Sequence, residues 1–192
     1  MDAVDTVAPR SPLTPAAFAY ATASVVALLI LPHLHAPLVR YGQPHHGALL
    51  LGSAPSTGAG WGLALGALLT AAGQAATRFT RWGRRLDALL ARLVKGLHPV
   101  DAVLLAALSA LAEELVFRGI LLPYLGLWGS SALFGLAHWV PRDGLWPWGV
   151  WAFVAGLVLG QAALATGGLL APLVAHFVVN AVGLLLLSWR RP

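Results

Sequence analysis

Not one cysteine occurs among the 192 residues. That excludes disulfides, thiolate zinc sites and a cysteine nucleophile, and it leaves the redox compartment unread. Charge is scarce too: Asp, Glu, Lys and Arg make up 10% of the chain, against 58% hydrophobic residues and a mean hydropathy of +0.77. Soluble domains carry about 25% charged residues, so this composition is that of an integral membrane protein. The length suits a single domain of about six spans, with little left for a soluble module. The net charge of +5 comes from clustered basic residues. In a membrane protein such clusters mark orientation and lipid contact, so the bilayer is an expected partner and nucleic acid is not.

The first fifteen residues hold Asp2, Asp5, Arg10 and three prolines. They read as a polar tail (1–15), not as the positively charged start of a cleaved signal peptide. Apolar segments follow at residues 16–31, 60–77, 100–122, 127–140, 147–166 and 168–189. The expected fold is therefore an all-α, polytopic membrane helix bundle of about six spans. Residues 16–99 supply two spans and a basic segment, and 100–189 form the core that carries the polar residues. Heavy use of Ala, Gly, Leu and Arg suggests a GC-rich bacterium.

Half of the twelve Lys and Arg residues lie between the second and third spans: Arg78, Arg81, Arg84, Arg85, Arg92 and Lys95. The positive-inside rule places that segment in the cytoplasm of a cell with the protein in its inner membrane. With six crossings, Arg10, Arg142, Arg190 and Arg191 fall on the same side, both termini are cytoplasmic, and only Arg40 and Arg118 are exceptions. The fourth segment is short enough for a re-entrant element, which would move Arg142 and the C-terminus outside; six crossings are preferred.

Within the basic segment, Phe79, Trp82, Leu86, Leu89, Leu90, Leu93 and Leu97 recur at helical spacing, with basic residues opposite. This predicts an interfacial amphipathic helix, acting as an anchor or as a platform that gathers substrate. Gly58, Gly62 and Gly66, like Gly156 and Gly160, are four apart and predict close helix packing. Pro123, Pro141, Pro147 and Pro172 fall at or near span ends. His33, His35, His45 and His46 have no carboxylate or thiolate companions and read as a solvated loop.

Against this apolar background, Glu113, Glu114 and Arg118 stand in the middle of the third span. Each charge near a bilayer centre costs about 2.5–3.5 kcal/mol, so their presence demands compensation. Glu114 and Arg118 are four residues apart and can pair. Glu113 points about 100° away and is left as a candidate general base, with a pKa that burial would raise. Later spans add His138, four residues after Phe134, and His176 with Asn180, four apart on one face of the last span. Intramembrane polar groups must satisfy one another, so all six are expected at one site.

Such a site has the parts to hydrolyse an amide. Glu113 and His138 would hold and deprotonate water, and His176 and Asn180 would donate to the oxyanion. Glu114 and Arg118 would fix orientation and the local field. No cofactor is needed, although Glu113, His138 and His176 could instead hold zinc; the His-Glu-x-x-His spacing of many zinc proteases is missing.

Three motifs, Glu113-Glu114-x-x-x-Arg118, Phe134-x-x-x-His138 and His176-x-x-x-Asn180, appear in order on successive spans. With the surrounding text at 114–119, 134–138 and 169–176, the region from about 100 to 187 resembles the CAAX protease and bacteriocin-processing family. That family of intramembrane endopeptidases includes the eukaryotic prenyl-protein protease and bacterial Abi proteins. The resemblance implies proteolysis of a membrane-associated protein or peptide near the interface, with the first glutamate as catalytic base. CAAX-type C-terminal processing and removal of a C-terminal sorting or anchor tail are both compatible with it, and oligomeric state is left open. A non-catalytic immunity or scaffold protein of the same fold is the main alternative. A proton-coupled transporter is weaker, because no internal repeat is found.

Overall fold

The computed structural model describes residues 14–94, 97–140 and 145–189. The tail up to residue 13, Lys95, Pro141, Arg142 and the Arg190–Arg191 end, all used above, lie outside the described residues. Every regular element among the described residues is a helix: α1 (Thr14–Ile30), a 3₁₀ turn (Leu31–His33), α2 (Ala36–Tyr41), α3 (His46–Leu51), α4 (Pro55–Phe79), α5 (Arg81–Leu93), α6 (Pro99–Glu114), a π-helix (Leu115–Leu121), α7 (Leu122–Ala137), α8 (Trp146–Thr166) and α9 (Leu170–Trp189). Local sequence explains many of the boundaries. Proline stands in the first turn of α4, α6 and α8, where its missing N–H costs nothing. The Thr80 hydroxyl ends the α4–α5 junction by accepting from Gly83 N–H at 3.0 Å, an N-cap.

Three helical stretches are long and apolar enough to cross a bilayer by length and composition: Pro15–His33, Trp146–Thr166 and Leu170–Trp189. The other three expected spans coincide with α4, with α6 plus its π-helical continuation, and with α7. The last two are not separated by a loop. The chain passes from the π-helix straight into α7 and turns at Gly126, whose φ of 68° and ψ of 178° are not helical. Large apolar side chains cover the outer faces, among them Phe18, Leu29, Trp61, Leu68 and Trp128, as expected of surfaces that meet lipid.

α4 lies along α9, α7 along α8, and α6 between α1 and α9. The α4–α9 contact depends on glycine. A Cβ on Gly62 would stand 2.7 Å from Ala171 O and Val174 Cβ, and one on Gly66 would stand 2.8 Å from Val178 Cβ. The expected Gly58-Gly62-Gly66 face is thus a backbone-to-backbone seam. On α8, Gly156 abuts Ser131 and Gly160 abuts Leu127, so the second glycine pair packs against α7.

The segment read as a solvated histidine loop contains two short helices, a correction with a clear cause. His45 Nδ1 accepts from Ala48 N–H at 3.1 Å and caps α3, and His46 Nε2 bonds Leu34 O at 2.8 Å. Its apolar residues Tyr41 and Leu49 join Ala27, Leu31, Leu115, Leu122, Ala163 and Leu169 in one core cluster. α5 follows the amphipathic reading, with Trp82, Leu86, Leu89 and Leu90 partly buried and Arg81, Arg84, Arg85 and Arg92 exposed. Phe79 and Leu93 face outward instead.

Candidate active site

α6, the π-helix, the C-terminal end of α7 and α9 bring Glu113, Glu114, Arg118, His138, His176 and Asn180 to one place. Glu114 and Arg118 are both 1% exposed, and Arg118 Nη1 donates to Glu114 Oε1 at 2.9 Å. The second guanidinium arm donates to Gly156 O at 3.3 Å, and the group stacks 4.5 Å from the Phe134 ring centroid. A buried arginine therefore has a carboxylate, a carbonyl and an aromatic face. Breaking such a set costs more than it contributes when intact.

The same Glu114 Oε1 meets His176 Nδ1 at 2.7 Å. His138 Nδ1 lies 2.9 Å from Phe134 O. A carbonyl only accepts, so His138 carries its hydrogen on Nδ1; facing a carboxylate, so does His176. Both Nε2 atoms are then left with lone pairs, and both face Glu113: Oε2 is 3.8 Å from His138 Nε2 and 3.7 Å from His176 Nε2. These gaps are too long for direct hydrogen bonds. Glu113 Oε2 is buried and has no partner among the described residues. Three acceptors converge on a space that calls for a donor.

Phe134 organises the imidazoles. Its ring centroid is 4.5 Å from that of His138 and 5.9 Å from that of His176, the latter nearly perpendicular. Asn180 Nδ2 donates to Ser109 Oγ at 3.0 Å, and its other N–H is available to a ligand. Ser109 is one turn before Glu113, a spacing that could have identified it.

Other contributors had no such signal. The π-helix changes the hydrogen-bond register just after the two glutamates, and two distant hydroxyls bind its carbonyls. Tyr41 donates to Arg118 O at 2.6 Å and Ser130 to Phe117 O at 2.6 Å. Tyr20, on α1, reaches the Glu113 side chain and lines the same groove.

The site opens into a groove of about 360 Å³ that is lined by α4, α5, α6 and α9 as well as Tyr20, His138 and Trp148. A larger apolar crevice of about 680 Å³ lies between α4, α7 and α8. None of the ionisable residues of the constellation lines it.

A family model, type II CAAX prenyl endopeptidase Rce1-like, matches residues 95–182. The uncharacterized protein YpbD of Bacillus subtilis (strain 168) is 37% identical over 82 residues, which cover 42% of this chain and 42% of YpbD. The chain thus spans less than half the length of that relative. No solved structure matches. The match contains all three motifs that the site is built from, and over residues 95–182 this chain is similar to the Rce1-like family.

Proposed function

We propose that the protein is an intramembrane endopeptidase that cleaves a membrane-associated protein or peptide with a water activated by Glu113. The observation that carries this reading is the convergence of Glu113 Oε2 with two imidazole Nε2 atoms at 3.7–3.8 Å. A water about 2.8 Å from Glu113 Oε2 and from one imidazole Nε2 would sit beside the line that joins them. It would donate to the carboxylate and to one imidazole, leaving an oxygen lone pair for attack.

In this course Glu113 takes one water proton as the oxygen adds to the scissile carbonyl carbon. The free Asn180 N–H donates to the resulting oxyanion. His176 Nε2 accepts the second water proton as the product carboxylate forms, a state that the Glu114 carboxylate at Nδ1 stabilises. The C–N bond then breaks, and Glu113 returns the proton to the leaving amine. Arg118 holds Glu114 in place. The family description supports peptidase chemistry of the CAAX type; a C-terminal anchor or sorting tail is the other substrate class in keeping with a membrane-embedded site.

Glu113, His138 and His176 are also a donor set that zinc accepts. With bonds of about 2.0–2.1 Å, tetrahedral ligands stand roughly 3.3–3.4 Å apart, so both imidazoles would have to close on the carboxylate. The metal-free course needs no such movement.

The test compares the termini of membrane proteins, by mass spectrometry, in host cells that carry either the native protein or Glu113→Gln. The variant keeps shape and a hydrogen-bonding group but removes the base. Termini present only with Glu113 are expected, and cleavage reproduced with purified protein should be indifferent to a zinc chelator. Identical termini would favour a non-catalytic scaffold or immunity protein of the same fold. Loss of cleavage on chelation, restored by zinc, would overturn the metal-free course.

A further inference from the structure

α4 and α9 run side by side in parallel. Gly58 lies near Leu170 and Ala171, Gly62 near Ala171 and Val174, and Gly66 near Ala175 and Val178. Extending that register puts Thr70 at the height of Val179 and Asn180, and Gln74 at the height of Gly183. Beyond Gly66 the seam opens. A Cβ on Gly73 or on Gly183 would meet nothing within 4 Å, and both residues line the groove. The two glycines thus leave open space along the groove, which forms a slot. It runs from the catalytic constellation towards α5, where Trp82, Leu86, Asp87 and Leu90 line it.

The α4 wall of this slot is polar in a helix that is otherwise mostly apolar. Thr70 and Gln74 are one turn apart and both line the groove. Thr70 Oγ1 is buried without a hydrogen-bond partner among the described residues, an arrangement that calls for an explanation. A threonine in a helix ordinarily satisfies its hydroxyl on the carbonyl one turn back; this one does not.

We propose that Thr70 and Gln74 form a rail that hydrogen-bonds the backbone of an extended substrate segment beside the scissile bond and leads it along α4 to Glu113. This rests on the endopeptidase reading and adds the substrate-binding wall to it. An extended peptide in a poorly hydrated slot must have its N–H and C=O groups satisfied by the protein. A hydroxyl and a primary amide each donate and accept, so each serves either group. The spacing fits: four helical residues rise about 6.0 Å, close to the roughly 6.6–6.8 Å between residues i and i+2 of a strand. Because the rail reads backbone, the side chains of the substrate are left to the α5 wall, where Trp82, Leu86 and Leu90 are joined by Asp87. Thr70 and Gln74 are positioning residues and do not touch the reacting atoms.

The test uses full-length protein and a synthetic peptide that spans a Glu113-dependent cleavage point, with single backbone amides replaced by esters. Thr70→Val with Gln74→Leu should raise KM about five- to tenfold or more, with kcat within about threefold and an unchanged melting temperature. Thr70→Ser should restore the contribution of the hydroxyl. An ester near the scissile bond should weaken the native protein's KM and have little further effect on the double variant. Gly183→Leu, which fills open space, should block cleavage without unfolding the protein. Unchanged KM in the double variant, or an ester penalty of the same size in both proteins, overturns the rail and leaves the protease intact. If no Glu113-dependent cleavage exists at all, the protease reading falls and the rail falls with it.

Discussion

Glu114 has two partners on a single oxygen, Arg118 at 2.9 Å and His176 at 2.7 Å, and the two can be separated by mutation. Glu114→Ala leaves a guanidinium at 1% exposure without its counter-ion. The expected cost is about 3–5 kcal/mol of stability, together with most of the activity. Adding Arg118→Leu removes the stranded charge and should recover much of the melting temperature. Activity should stay low, because His176 would still lack the carboxylate that fixes its tautomer. Thermal unfolding in detergent and cleavage rate, measured on the same preparations, check both halves. A stable and active Glu114→Ala protein would remove Glu114 from the site's architecture. The pair itself was legible from its i, i+4 spacing. Tyr20 and Tyr41 were not, because a tyrosine in an apolar segment carries no spacing that points 77 residues away to Arg118. Ser109 could have been read, since it precedes Glu113 by one helical turn.

The glycine seam between α4 and α9 fixes where His176 stands, because Ala175, its neighbour in sequence, is in contact with Gly66. A Cβ at residue 66 would lie 3.0 Å from Ala175 O and 3.1 Å from Ala175 Cα, and backbone cannot step aside as a side chain does. Gly66→Val should therefore cost about 1–3 kcal/mol and also lower activity, by pushing α9 away from Glu113. Gly60, on the same helix, has nothing within 4 Å of its virtual Cβ. Gly60→Ala should be neutral or stabilise by up to about 1 kcal/mol. Equal melting temperatures for the two variants would contradict the seam. Periodicity revealed this element in advance, as it did the amphipathic α5. It did not reveal the π-helix at Leu115–Leu121 or the short helices α2 and α3. The hydrogen-bond register of a π-helix has no composition of its own. Helices of six residues are too short for a repeat and exist here because Tyr41 and Leu49 are buried by distant parts of the chain.

On the scale of the whole molecule, the groove gives the orientation of the protein a functional meaning. On the endopeptidase reading, a slot that runs from Glu113 to α5 makes the side of the membrane on which α5 lies the side from which a substrate segment would reach the site. The exposed face of α5 carries Arg81, Arg84, Arg85 and Arg92, and such clusters are retained on the cytoplasmic side. The expected arrangement has α5 in the cytoplasmic interface and the α1–α4 connection, with α2 and α3, at the opposite face. The same absence of cysteine that excludes thiol chemistry makes this directly measurable, since any introduced thiol is unique. Ala88 on α5 and His35 before α2 are both exposed, and neither belongs to the site. Ala88→Cys should react with a membrane-impermeant maleimide only in inverted vesicles, and His35→Cys only in intact cells or spheroplasts. That result would put the substrate's approach on the cytoplasmic side, suiting C-terminal processing of a cytoplasmic tail. The reverse pattern would turn the groove outward and select the removal of anchor segments from exported proteins instead.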